Sequence, residues 1–248
     1  VRFLSGPLTG GNQALELAFA HATLRRVSQD RADETVRIYR PTSPVVAFGR
    51  RDERLPGFKR AVGSALERGF TPVLRPTGGR AVAYTEAALV VDHTRHEINA
   101  VAGQEQRFIS FGTMFADMFR EWGIDARVGA VPGEYCAGAQ SVNARGVVKL
   151  VGTAQRVVRD GWLFSSLIVV GDDEPIKEVL SEVYRHLDQD FDEGSVGSLT
   201  TEAPGLGIDL VESMVARAIV GDTMATPAAR DGATIDLALQ LFADHATE

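Results

Sequence analysis

The sequence holds one cysteine, Cys136, in 248 residues. A lone thiol excludes an internal disulfide and any metal site built on several thiolates, and it suits a reducing compartment. No apolar run approaches the roughly 18–20 residues that a membrane span needs. The N-terminus has no basic start followed by an apolar stretch, so no signal peptide is read there. A cytoplasmic protein with no membrane contact is expected. Internal repeats and low-complexity blocks are absent. Basic–aromatic interleaving is also absent, and with a net charge of −7 this argues against nucleic acid as a partner. Among the histidines only His93 and His96 lie close together. Their spacing suits a strand end or turn as easily as a site, no further zinc ligands are evident, and no metal is expected.

What is present is an ordinary globular composition, 44% hydrophobic, enough to bury a sizeable core. The charge is uneven. Residues 172–248 carry four basic and seventeen acidic residues, leaving 22 basic and 16 acidic in residues 1–171. The positive part includes the cluster Arg50, Arg51, Arg54, Lys59 and Arg60. Such a face either steers an acidic partner or is a plain solvated surface.

Periodicity predicts a helix over Asn12–Arg26 with Asn12 as N-cap, and a second over Phe58–Arg68 ended by Gly69. The clearest helix is Gln104–Trp122, where Phe108, Phe111, Phe115, Phe119 and Trp122 recur at spacings of three or four as a core stripe. Strands are predicted at Val36–Arg40, Val45–Phe48, Thr71–Arg75, Arg80–Tyr84, Ala87–Asp92, Val147–Val151, Ala154–Arg159 and Trp162–Val170, with a hairpin turn at Asp160-Gly161. Gly129–Gly146 reads as a long loop without helical or strand period, a length that is uncommon unless it carries function. The acidic tail has helical pattern near Glu174–Leu187, Ile208–Val220 and Ile235–His245. The expected class is α+β, a mixed, mostly antiparallel sheet with packed helices.

Three segments carry candidate chemistry. In Arg75-Pro-Thr-Gly-Gly-Arg-Ala-Val-Ala-Tyr84, a glycine pair between strands lets backbone N–H groups approach a ligand, with Arg75 and Arg80 adding charge. Taken alone, a glycine pair flanked by arginine is more often an ordinary turn. Lys149 stands in a strand of apolar residues, where it either polarises a carbonyl or phosphate or points to solvent. Cys136, thirteen positions earlier in the long loop, is either a small buried hydrophobe or a nucleophile whose pKa Lys149 lowers.

These segments, in this order, resemble the biotin/lipoate protein ligase superfamily, in its lipoate ligase and cysteine-type octanoyltransferase branch. The resemblance runs from about Asn12 to Val170. Asn12-Gln-Ala-Leu-Glu-Leu-Ala is similar to the first helix, and Pro44-Val-Val-Ala-Phe-Gly-Arg50 to the strand and turn after it. Arg75-Pro-Thr-Gly-Gly-Arg-Ala-Val82 matches an Arg-x-x-Gly-Gly-x-x-Val signature, and Lys149-Leu-Val-Gly-Thr-Ala-Gln155 a Lys-x-x-Gly-x-Ala-Gln strand. The resemblance implies a fold like the catalytic domain of class II aminoacyl-tRNA synthetases and biotin synthetase. It implies one such domain over residues 1–248, with an acidic helical part from about 172. Arg75, Gly78, Gly79, Arg80 and Tyr84, with Gly152, Thr153 and Ala154, would line an acyl or acyl-adenylate pocket. Lys149 would hold the carbonyl or phosphate oxygen. The chain departs from the pattern at Tyr84, where His is usual, and at Thr85-Glu86, where an acidic residue follows.

The activity implied is protein lipoylation. Cys136, placed where the branch carries its nucleophile, would take an octanoyl or lipoyl group from acyl carrier protein as a thioester. It would then pass the group to a lysine of a lipoyl carrier domain, without cofactor and as a monomer. One alternative is an ATP- and Mg²⁺-dependent lipoate-protein ligase that forms lipoyl-adenylate, with Cys136 a bystander. Another, motivated by Tyr84, is a non-catalytic paralogue that binds an acylated carrier.

Overall fold

The computed structural model describes residues 1–8, 10–221 and 227–247. Its core begins with a seven-stranded sheet in the order β1-β2-β6-β10-β9-β8-β7: Arg2–Ser5, Thr35–Tyr39, Ala88–His96, Gly161–Val169, Val148–Val158, Val142–Ala144 and Ala126–Val128. Only the β1–β2 pair is parallel. A second, three-stranded sheet has the order β4-β3-β5, from Thr71–Leu74, Val45–Phe48 and Val82–Tyr84. The α+β expectation stands, with its strands divided between two sheets.

Helix α1, Gln13–Ser28, starts where Asn12 predicts, because the Asn12 carboxamide accepts the backbone N–H groups of Ala14 and Leu15. It crosses one face of the large sheet. On the other face, Phe115 and Phe119 of α3, Gln104–Glu121, are fully buried among strand residues such as Val91, Val151 and Ile168. Helix α2, Phe58–Glu67, packs on the small sheet and on α4, Asp173–Leu187.

Three expectations shift. Residues 129–146 include the strand β8, whose three residues are too few to show a period. The two runs Val147–Val151 and Ala154–Arg159 are one continuous strand, β9. The hairpin loop is Arg159–Asp160, and Gly161 already pairs with Val158. Gly161 is needed for space: a Cβ there would sit 2.9 Å from the Ser28 Cβ at the end of α1. The strands β1 and β7 went unread.

After α5, Leu199–Glu202, and α6, Ile208–Val220, the tail returns as α7, Gly232–Leu241, against α1. His245 then lies 3.2 Å from His21, Nε2 to Nδ1, and its Nδ1 is 2.6 Å from the Leu74 carbonyl oxygen. Burial, with cationic Arg156 and Arg25 nearby, pushes the His21 pKa down to about 4. The acidic tail is thus built into the fold. Among the described residues no helix is long and apolar enough to cross a membrane.

The ion pair of Glu16 and Arg37 ties α1 to β2, each side chain 2% exposed. Glu16 also accepts the Leu8 backbone N–H at 2.7 Å. Glu16→Ala leaves a buried guanidinium uncompensated, so it is expected to destabilise the fold by about 3–5 kcal/mol, read as a lower urea midpoint.

Candidate active site

Cys136 sits where three clefts meet, and each ordinary feature of its loop is pinned. Its backbone takes φ 44°, an uncommon conformation for a side-chain-bearing residue that costs about 1–3 kcal/mol. The Cys136 N–H donates to the Tyr184 hydroxyl oxygen at 2.7 Å, and that hydroxyl donates to the Ala81 carbonyl at 2.9 Å. Two residues earlier, Glu134 Oε1 accepts the Gly138 N–H and the Ser141 hydroxyl, both at 3.0 Å.

Lys149, 1% exposed, supplies the remaining clasp. Its Nζ donates to the carbonyl oxygens of Tyr135 and Cys136, both at 3.0 Å, and pairs with Glu134 Oε2 at 3.3 Å. Two protons of the ammonium therefore have carbonyl acceptors, and Glu134 balances its charge as an ion pair. Lys149 is not solvent-facing, as strand alternation allows it to be; the loop closes over it. Burial pushes its pKa down, while Glu134 and Cys136 oppose the shift.

The Cys136 sulfur accepts from Arg75 Nη2 at 3.1 Å and from the Arg80 backbone N–H at 3.3 Å. Burial pushes the thiol pKa up, but Arg75, Lys149 and the Arg80 N–H together outweigh it and hold the thiol below its ordinary value. That favours the thiolate, the nucleophilic form. Arg75 is itself fixed by the Arg80 carbonyl at 2.5 Å, and the Arg80 guanidinium by Asp52 at 3.2 Å.

The two glycines differ. Gly79 has φ 104°, and a Cβ there would lie 2.3 Å from Arg75 Nη2 and 2.6 Å from the Cys136 sulfur. At Gly78 the nearest atom would be 3.9 Å away. The Gly78 N–H is not free for a ligand, since it donates to the Gln155 carbonyl.

The first cleft is a mostly apolar pocket of about 630 Å³, mouth included, between α1, the large sheet and the small sheet. Arg75, Tyr84, Cys136, Lys149, Gly152, Thr153 and Ala154 all line it, along with Leu17, Val90 and Leu167. Gly152 keeps room beside the lysine, for a Cβ would stand 3.3 Å from Lys149 Cε. Gly78 and Gly79 line an open second cleft of about 1390 Å³, and Arg80 a third of about 800 Å³ beside exposed Arg51. Every residue singled out in the sequence thus borders a cleft that reaches Cys136.

Residues 12–220 match the lipoyl protein ligase A/B catalytic domain. The chain belongs to that family. It is 28% identical over 156 residues to an octanoyl-GcvH:protein N-octanoyltransferase of Geobacillus kaustophilus, covering 63% of this chain and 54% of that protein. A protein of the same name from Exiguobacterium sp. is 30% identical over 116 residues, 47% of this chain and 41% of that one. The chain spans about half the length of these curated relatives. Among solved structures, a lipoate protein ligase of T. acidophilum with bound lipoic acid superposes with a TM-score of 0.74 at 20% identity, over 98% of this chain and 95% of that one. A lipoate-protein ligase A bound with ATP gives 0.73 at 19%, over 98% and 94%. At these identities the structures speak for the fold alone.

Within this family fold, sequence reasoning missed Glu134, Tyr184 and Asp52. Glu134 has no motif around it. Tyr184 stands on the buried stripe of α4, 48 residues after the cysteine it holds, and only its helical period marked it as inward-facing. His93 and His96 form no metal pair: both lie in β6, where a spacing of three puts them on opposite faces. Among the described residues no cluster of three or more His, Cys, Asp or Glu side chains suits a metal.

Gly79→Ala is expected to displace the thiol and cut any Cys136-dependent turnover by about 100-fold, while Gly78→Ala stays near wild type. Alkylation of Cys136 by iodoacetamide, followed against pH, should reach half its plateau below the ordinary thiol range. In Arg75→Gln the half-point should move up, and an unchanged profile would remove Arg75 from thiolate stabilisation.

Proposed function

We propose that this chain is a protein-lipoylation acyltransferase that carries an octanoyl or lipoyl group as a Cys136 thioester and delivers it to a lysine of a lipoyl carrier domain. The observation that carries the reading is the Cys136 sulfur, held by a guanidinium and a backbone N–H at the mouth of an apolar pocket. Family membership and the octanoyltransferase relatives support it.

In the first step the thiolate attacks the acyl carbonyl carbon, forming C–S. The bond from that carbon to the donor's heteroatom breaks, and the heteroatom leaves with a proton. The second step reverses the pattern. A neutral lysine amine attacks the thioester, C–N forms, C–S breaks, and the thiolate returns as the amine loses a proton. As the sulfur gives up its charge, Arg75 Nη2 and the Arg80 N–H become available to the oxyanion that develops beside it. Lys149, bonded to the Tyr135 and Cys136 carbonyls and paired with Glu134, positions the loop that bears the nucleophile.

Two donors suit the same nucleophile: an octanoyl thioester on acyl carrier protein, and octanoyl-GcvH, the donor in the relatives' name. Neither route needs ATP. The exposed cluster Arg50, Arg51, Arg54, Lys59 and Arg60, of which Arg51 lines the third cleft, suits an acidic carrier. We further read the chain as one catalytic unit acting as a monomer in a reducing cytoplasm, where the lone thiol stays free.

Intact-protein mass after incubation with each octanoyl donor, without ATP, tests the reading. Wild type should gain one octanoyl group, labile to hydroxylamine, and Cys136→Ser none. Transfer to a carrier domain by Cys136→Ser only when ATP, Mg²⁺ and lipoate are supplied would make the chain a ligase. Carrier binding with no turnover under either condition would make it a binding paralogue.

A further inference from the structure

The apolar pocket has a far wall as well as a mouth. On its floor, Tyr39, Val90, Leu167 and Gly152 pair across β2, β6, β10 and β9, and Arg37, Asp92, Ser165 and Ala154 form the next row. Residues opposite one another in adjacent strands share a face. The pocket takes Val90, Leu167 and Gly152 from the first row and Asp92, Ser165 and Ala154 from the second, and none of its described lining comes from β2. It therefore crosses three strands and stops at the fourth.

The reactive end lies over β9. There the pairing with β8 is irregular: Val142 faces Val151 but Asn143 faces Lys149, so β9 holds one extra residue. Leu150 and Val151 both turn into the core under α3, and Lys149 comes out on the face of Gly152. Its Nζ holds the Cys136 carbonyl at 3.0 Å. At the opposite end stand Tyr39 and Arg37 of β2, 1% and 2% exposed. The Arg37 guanidinium lies 4.1 Å from the centre of the Tyr39 ring. Its ion pair with Glu16 fastens it to α1, one residue before Leu17 of the pocket wall. Neighbouring strands lie about 4.8 Å apart, so from β9 to β6 the floor spans about 10 Å, close to the length of an extended eight-carbon acyl chain.

We propose that Tyr39 is the stop that fixes acyl-chain length, admitting eight carbons from the Cys136 end and resisting ten. The proposal rests on the acyl-pocket reading above and adds the residue that measures the chain. Each carbon short of the stop gains buried surface. A chain end that reaches Tyr39 must displace a ring clamped by a guanidinium, and overpacking a braced core is costly. A dithiolane ring closed on an eight-carbon chain adds no carbon to its length, so octanoyl and lipoyl meet the same limit. The competing path turns the chain off the floor toward Ala47 and Val82 of the small sheet, where Tyr39 would have no effect on length.

Calorimetric titration with straight-chain acids of four to twelve carbons reads the limit without any transfer step. Wild type should bind octanoic acid about tenfold tighter than either hexanoic or decanoic acid. Tyr39→Val should move the optimum to ten carbons or more. Val90→Phe, which brings the stop one strand nearer, should move it to six or fewer, and it serves alone if Tyr39→Val fails to fold. A wild-type optimum other than eight carbons, an optimum unmoved in either folded variant, or binding of none of the acids overturns the proposal. Any of these beside an octanoyl adduct on Cys136 defeats this inference and leaves the transfer reading intact. An optimum that follows the variants without any adduct defeats the transfer reading and leaves Tyr39 as the stop.

Discussion

The buried ammonium of Lys149 is the constraint around which the site is assembled. A lysine 1% exposed faces a large desolvation cost, and burial does lower its pKa. The cost is offset only because Glu134 and the carbonyls of Tyr135 and Cys136 converge on one nitrogen. Those three groups are consecutive in the chain. Satisfying the charge therefore dictates the path of the backbone through Cys136, including its positive φ. The Tyr184 hydroxyl then takes up the N–H that this path leaves pointing inward.

From that geometry the electrostatics of the sulfur follow. The loop delivers it against Arg75 and the Arg80 N–H, at a point where Gly79 leaves room because it has no Cβ. Glu134 does not cancel the effect, since it is drawn to Lys149 and to the Gly138 and Ser141 donors. Asp52 is likewise engaged by Arg80 and by the Gly49 N–H. The acids near the site are thus committed to structural partners, and the cations retain a net pull on the thiolate. A thiol of lowered pKa, held on a loop pinned from several sides, is the result.

Much of this was legible in the sequence because local rules and motifs act over short spans. The Asn12 cap, the aromatic stripe of α3 and the bounds of α6 follow from periodicity and capping over one element each. The glycine and lysine motifs named their own residues, and all border one set of clefts. What stayed hidden depends on pairing across the chain. A three-residue strand such as β8 has no period of its own and exists only through β7 and β9. Tyr184 reaches Cys136 across 48 residues, and Asp52 reaches Arg80 across 28. Alternation alone leaves the orientation of Lys149 open, since the loop that covers it lies outside its strand. Asp92 looked like the end of an apolar run until the register set it beside Ser165.

The division of charge bears on which chemistry the site suits. Adenylation needs free cations for a triphosphate, whereas thioester exchange needs one stabilised thiolate and donors for a transient oxyanion. Here Arg75 and Lys149 both act on Cys136, and Arg80 offers it a backbone N–H while its side chain is bound to Asp52. A triphosphate at the same point would have to draw these cations away from the partners that hold the nucleophile loop in place. Thioester exchange makes no such demand. In the proposed exchange, the charge that leaves the sulfur on acylation would return on deacylation, and the same two donors would serve the oxyanion in both directions. The arrangement is consistent with moving an already activated or carrier-bound acyl group from one protein to another.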